Sequence, residues 1–243
     1  GRERVVEQTL YDVMSGALKV VSQSGAVLAG GHSSEGAELA FGLTVNGFIA
    51  PDQVLRKGGL RPGDALILTK PVGTGTLFAA DMRRRAKGRW VDAAIQTMLL
   101  SNQAATECLQ DFGVSACTDV TGFGLLGHLI EMTRSAGVDA ELSIDDIPIL
   151  AGAAETVAAG ILSSLQPQNL RLRRAVRDLE RAAHHPRYPL LFDPQTAGGL
   201  LAGVPGARAE DCILALKACG YPETALVGRV LERSDAAEPI VLI

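Results

Sequence analysis

Three times in this chain of 243 residues a strand-length apolar run leads into a loop of glycine with hydroxyl or imidazole side chains: GGHSSEG at 30–36, KPVGTGT at 70–76 and TDVTGFG at 118–124. Helix patterns follow the second and third loops. Strands and helices alternating through such loops argue for α+β or α/β architecture over either pure class. The loops also carry a chemical suggestion. Glycine lets backbone N–H groups come close to phosphate oxygens, and a following helix N-terminus adds partial positive charge at the same point. Neither GxxxxGK[ST] nor a strand-to-helix GxGxxG fingerprint occurs, so each loop alone reads equally as a turn.

The remaining elements follow from periodicity and punctuation. Val6, Leu10, Met14, Leu18 and Val21 recur at helical spacing, and Gly25 supplies a stop. This helix shows no cap before it, as expected of a chain that begins inside an element. AVLAGG and AELAFGLTVNGFIA read as two strands. The second is apolar on both faces, as a strand between a helix layer and a partner would be, which makes a homodimer the default expectation. RKGGLRPGD, rich in glycine and proline, marks a domain boundary between residues 1–58 and residues 62–243. Beyond it come the strand ALILTK, a helix from the VGTGT loop, one long helix over AAIQTMLLSNQAATECLQDFG ended by Gly113, and the strand VSACTDV. A helix over 125–136 closed by Gly137, the strand VDAELSI, a polar helical middle from Ile147 to His185, and LLFDPQTAGGLLAGV as two apolar runs around a turn complete the pattern with a last helix and two strands.

Composition removes several function classes. With 47% hydrophobic residues the chain can fill a core. Its net charge of −4, from 23 basic and 27 acidic residues, offers no cationic excess for nucleic acid or an anionic membrane. No apolar run reaches the roughly 18 residues of a bilayer span, and the opening lacks a signal-peptide layout. Cys108, Cys117, Cys212 and Cys219 form no CxxC pair, so neither a disulfide framework nor a zinc site is signalled, and a cytoplasmic location is the natural reading.

Asp119 is the residue a turn explains least well. Thr121 is a natural cap for the following helix, but a carboxylate beside a phosphate is unfavourable unless a cation lies between them. Mg²⁺ is usually held by one or two carboxylates together with substrate phosphates, so Asp119 is a metal ligand if this loop binds phosphate.

GGHSSEGAELAFGLTVNG, RPGDALILTKPVGTG, TDVTGFGLLGHLIEM and FDPQTAGGLL, in this order and at these separations, resemble the selenophosphate synthetases (selenide, water dikinases), within the wider aminoimidazole ribonucleotide synthetase-like superfamily. The resemblance implies an α+β, two-domain architecture whose first domain is present only as its tail. It also implies use of ATP and Mg²⁺ to phosphorylate selenide, giving selenophosphate, AMP and orthophosphate, in a homodimer. By the same resemblance Gly30, Gly31, His32 and Ser33 contact nucleotide phosphate and Asp119 binds magnesium. Asn102 and Lys70 face the same cleft by analogy, although for Lys70 a solvated strand end is the simpler reading. Asp193 and Gln195 either line that cleft or start an ordinary turn. The family's catalytic cysteine or selenocysteine and its lysine match nothing here, so this chain alone is expected to lack full turnover. Two other readings stay open: a non-catalytic nucleotide-binding or dimerisation module of a larger fusion, and a related ATP-dependent enzyme acting on a purine-pathway intermediate.

Overall fold

Residues Asp64–Leu68 are buried along their whole length, because helices cover both sides of the sheet they belong to. The structure, a computed structural model, describes residues 2–243 and divides into two bodies, residues 1–49 and residues 50–243.

The first body holds α1 (Arg2–Gln23), ended by Gly25 at φ 73°. Val6, Leu10 and Leu18, on its apolar stripe, are exposed. Residues 26–49 form neither helix nor strand. The two strands expected there are therefore not formed, for a physical reason: a strand exists through its ladder, and no strand of the sheet comes from this segment. Val27, Val45 and Phe48 stand in solvent.

The second body is built on six strands, β1 (Asp64–Leu68), β2 (Ala116–Asp119), β3 (Asp139–Leu142), β4 (Leu200–Pro205), β5 (Ala225–Leu231) and β6 (Ile240–Leu242). Their order is β2-β4-β1-β5-β3-β6, antiparallel throughout except for β3 beside β6. Alternation along β1 sends side chains to opposite faces. Ala65 and Ile67 join Leu109, Cys212, Leu216 and Tyr221 beneath α4 (Gln103–Asp111) and α9 (Ala209–Ala218). Leu66 and Leu68 join Leu125, Leu129, Tyr188 and Phe192 beneath α5 (Gly124–Ala136) and the segment after it. Each face buries its own apolar set, so the strand reads as one continuous apolar run.

The other helices are α2 (Thr74–Met82), α3 (Gly88–Leu99), α6 (Ala153–Ala158), α7 (Gln166–Asn169) and α8 (Leu179–Ala183). The apolar run before Asp193 is a 3₁₀ turn, Tyr188–Phe192. The single long helix expected to end at Gly113 is two, α3 and α4, parted at Leu100–Asn102. Tertiary partners take the groups that would continue it. Lys70 Nζ donates to the Leu100 carbonyl, and the Tyr221 hydroxyl donates to Ser101 O at 2.6 Å while accepting from Ala105 N at 3.0 Å. Among the described residues no helix is long and apolar enough to cross a membrane.

Candidate functional site

The turn between Asp193 and Gly199 ties two of the three glycine loops together. Gln195 is its centre: its Oε1 accepts from Gly73 N at 2.9 Å, Thr74 N at 3.2 Å and Thr74 Oγ1 at 3.1 Å. Its Nε2 donates to Asp193 O and Oδ2 at 2.8 and 3.0 Å, and Asp193 Oδ2 also accepts from Gly75 N at 3.0 Å. Three N–H groups at the start of α2 are thus occupied by side chains of the same chain. The KPVGTGT loop is accordingly a capped helix start and no open phosphate cradle. The cap comes from a distant segment, since Gly73 itself makes no side-chain cap bond. Asp193 is buried, and desolvation pushes its carboxyl up to about 7, against the hydrogen bonds from Thr76 N, Gln195 and Gly75 N.

The same turn grips the TDVTGFG loop. Gln195 N donates to Thr121 O at 3.0 Å and Val120 N to Gly199 O at 2.8 Å. A Cβ on Gly198 would stand 2.0 Å from Val120 O, and one on Gly199 would stand 2.6 Å from Lys70 N. The close approach of three backbones is what these two glycines permit. Asn169 Nδ2 reaches Gly122 O and Phe192 O at 2.8 and 3.0 Å, fixing the far side.

Thr121 does not cap α5 with its side chain. Instead its N–H donates to His128 Nε2 at 3.1 Å, so Nε2 is unprotonated and the ring proton lies on Nδ1, which faces Glu131 Oε2 at 3.4 Å. Glu131 in turn pairs with Lys57 at 2.9 Å. His128 is buried, and desolvation holds its pKa below the usual histidine value despite the nearby Glu131 and Asp119 carboxylates.

Asp119 ends β2, opposite Leu200 of β4, after three buried residues. Its carboxylate is exposed and accepts no hydrogen bond from the described residues, so it is available to a ligand. Among the described residues no three His, Cys, Asp or Glu side chains converge on a metal position. One free carboxylate matches the way magnesium is shared between protein and phosphate, in which the protein gives only one or two ligands.

Lys70 is 2% exposed, which corrects the solvated strand end expected for it. Its ammonium contacts the Leu100 and Ala197 carbonyls, and burial pulls its pKa down to about 8. Ala197 carries a positive φ of 47°. Asn102 caps no bond with its side chain at α4. Its Nδ2 donates to Gly198 O at 2.9 Å, while Oδ1 is buried without a partner among the described residues.

Gly30, Gly31, His32 and Ser33 lie in the first body, in exposed chain without regular structure. Neither Gly30 nor Gly31 has a positive φ, and nothing lies within 4 Å of a Cβ built on either. The structure joins Asp119, Lys70, Asn102, Asp193 and Gln195 within the second body. Gln195 and His128 are the two residues whose roles the sequence concealed. The signal for His128 was its place two helical turns beyond Thr121, and for Gln195 only the motif that contains it.

Residues 61–238 match the family model described as AIR synthase related protein, C-terminal domain. The chain is 38% identical over 226 residues to selenide, water dikinase 2 of Peptoclostridium acidaminophilum, a match covering 93% of this chain and 65% of that protein. With the selenide, water dikinase of Desulfitobacterium hafniense it shares 37% identity over 240 residues, covering 99% and 69%. The chain thus spans about two thirds of the length of the curated relatives it matches. Among solved structures, Escherichia coli HypE shares the fold with a TM-score of 0.57 at 20% identity, over 77% of this chain and 48% of that one. On the strength of these matches and of the four motifs in order, the chain belongs to the selenide, water dikinase family and carries its AIR synthase related C-terminal domain.

Proposed function

We propose that this chain is the later part of an ATP-dependent enzyme that phosphorylates selenide to selenophosphate, releasing AMP and orthophosphate. In this reading residues 1–58 are the tail of an ATP-binding and dimerisation domain, residues 62–243 are the C-terminal α+β domain, and the protein is a cytoplasmic homodimer. Gly30, Gly31, His32 and Ser33 contact nucleotide phosphate, and Asp119 is one ligand of Mg²⁺. None of the residues in this chain is assigned as nucleophile, and the chain alone is expected to be inactive.

The observation that carries the reading is Asp119: an exposed carboxylate without a hydrogen-bond partner among the described residues, at the end of a buried strand, in a loop held from three sides. Phosphoryl transfer asks a protein for positioning and charge neutralisation more than for covalent chemistry. The Asp193–Gly199 turn and His128 supply positioning by fixing the backbone that carries Asp119. Magnesium bound there would offset the charge of the phosphates. Gln195 and Asp193 act behind the site, on the start of α2.

Isothermal titration of the chain with a non-hydrolysable ATP analogue, with and without Mg²⁺, tests the reading. Magnesium-dependent binding is expected, weakened at least tenfold by Asp119→Ala. Equal affinity for the variant and the unaltered chain would remove Asp119 from the site.

A further inference from the structure

Between α2 and α3 the chain reads MRRRAKGR, and Arg83, Arg84, Arg85, Lys87 and Arg89 are all exposed, in a chain of net charge −4. Among the described residues none of the five forms an ion pair. The only carboxylates from residue 81 to residue 99 are Asp81 and Asp92, both exposed. The backbone holds these cations in a fixed frame. Arg85 N donates to Ala80 O at 2.8 Å and Arg84 N to Asp81 O at 2.7 Å, the pairing that ends a helix on a left-handed residue. That position favours glycine, yet it is Arg84, at φ 55°, so a charge is kept where backbone preference alone would place none. Lys87 Nζ lies over the buried Trp90 ring, 4.7 Å from its centroid. The helix that follows carries more apolar surface than the core uses. Trp90 and Ala94 enter the core, while Val91, Ile95, Met98 and Leu99, at i, i+4, i+7 and i+8, form a second stripe beside them. Ile95 is 39% and Leu99 66% exposed, and Val91 and Met98 are half-buried.

We propose that the 83–89 loop and the exposed stripe of α3 form a docking surface for an acidic amphipathic helix of another protein. Its carboxylates meet the unpaired arginines, and its apolar face lies along Val91, Ile95, Met98 and Leu99. The loop supplies attraction and orientation, and the stripe supplies the dry contact. Other occupants match only part of this surface. Nucleic acid would meet the cations but gain nothing from the stripe, and no exposed aromatic between residues 81 and 100 offers a base a stacking face. An anionic membrane would be repelled by the acidic excess of the chain as a whole. A second copy laid antiparallel along α3 would bring the basic loop against residues 96–103, which hold no carboxylate, and one laid parallel would set two basic loops together. None of these residues holds the Asp119 loop, so the surface stands apart from the phosphoryl-transfer reading.

The experiment is fluorescence anisotropy of the chain with a fluorescein-labelled model peptide, a helix with leucines at i, i+4 and i+7 and glutamates in its first turn. Saturable binding that weakens with added salt is expected. Arg83→Glu combined with Arg85→Glu should weaken it about tenfold or more and remove most of the salt dependence. Ile95→Ser combined with Leu99→Ser should weaken it to a similar degree and leave the salt dependence in place. All four side chains are exposed, and unchanged circular dichroism of the variants separates lost docking from lost folding. Several results would each overturn the proposal: no binding, or equal binding of a peptide with glutamines in place of the glutamates; undiminished binding by either variant; tighter binding of oligouridylate or of phosphatidylglycerol vesicles. Self-association in sedimentation that the same substitutions abolish would overturn it too, by giving the surface to a second copy.

Discussion

Asp193 sits near its midpoint at pH 7, because burial opposes its charge more strongly than three hydrogen bonds support it. The sign of the consequence follows from proton counting. Between about 4 and about 7 the folded state holds a proton that the unfolded state has lost, so this residue's contribution to stability falls as pH rises through that window and levels off above it. His128 runs the other way. Its folded pKa lies below the unfolded one, so acidification through the usual histidine range costs stability as the acceptor of the Thr121 N–H is protonated. The two trends overlap, and a difference experiment separates them. Asp193→Asn keeps an oxygen for Gly75 N and removes the charge. Urea unfolding of that variant should lose the Asp193 slope and gain roughly 1 to 4 kcal/mol relative to the unaltered chain between pH 4 and pH 7. Parallel pH curves for the two proteins would show that Asp193 is ionised throughout.

At the scale of elements, the break between α3 and α4 is where the chain passes from the core on one face of the sheet to the core on the other. Lys70, from the end of β1, takes the Leu100 carbonyl; Tyr221, beyond α9, takes Ser101 O and Ala105 N. Tyr221→Phe removes one hydroxyl and leaves a buried N–H at the start of α4 unpaired. A cost of about 1 to 3 kcal/mol is expected, with faster amide exchange at Ala105 than elsewhere in α4. Uniform exchange along α4 would mean that a local rearrangement satisfies the N–H. The α2 start is the second such element. Gln195→Leu leaves the Gly73 and Thr74 N–H groups without their acceptor, and the expected loss is again about 1 to 3 kcal/mol, read as a lowered urea midpoint.

For the whole molecule, every residue of the apolar cores lies at Leu55 or later. Residues 50–243 expressed alone should therefore unfold in one cooperative calorimetric transition, because their sheet and both covering layers are complete within that span. A broad transition without cooperativity would show that residues 1–49 are part of the same folding unit. The apolar stretch 26–49 stands apart from this. Its strand-like residues are exposed and unladdered, and hydrophobic patterning cannot tell whether a ladder partner is present, since a strand's hydrogen bonds are made to another segment.

Periodicity was enough to locate α1 and its stop at Gly25, the buried β1, the strand in VSACTDV that contains β2, and α5 closed by Gly137, because these depend on side-chain patterns and backbone preferences within a few residues. The four motifs in order were enough for the family. Packing alone decided what long-range partners impose: that the helix before Gly113 breaks at Leu100, that Lys70 is buried, and that Asp193 and Gln195 cap a helix more than a hundred residues upstream. Each of these turns on which donor finds which acceptor across the folded chain, and local pattern carries no record of that.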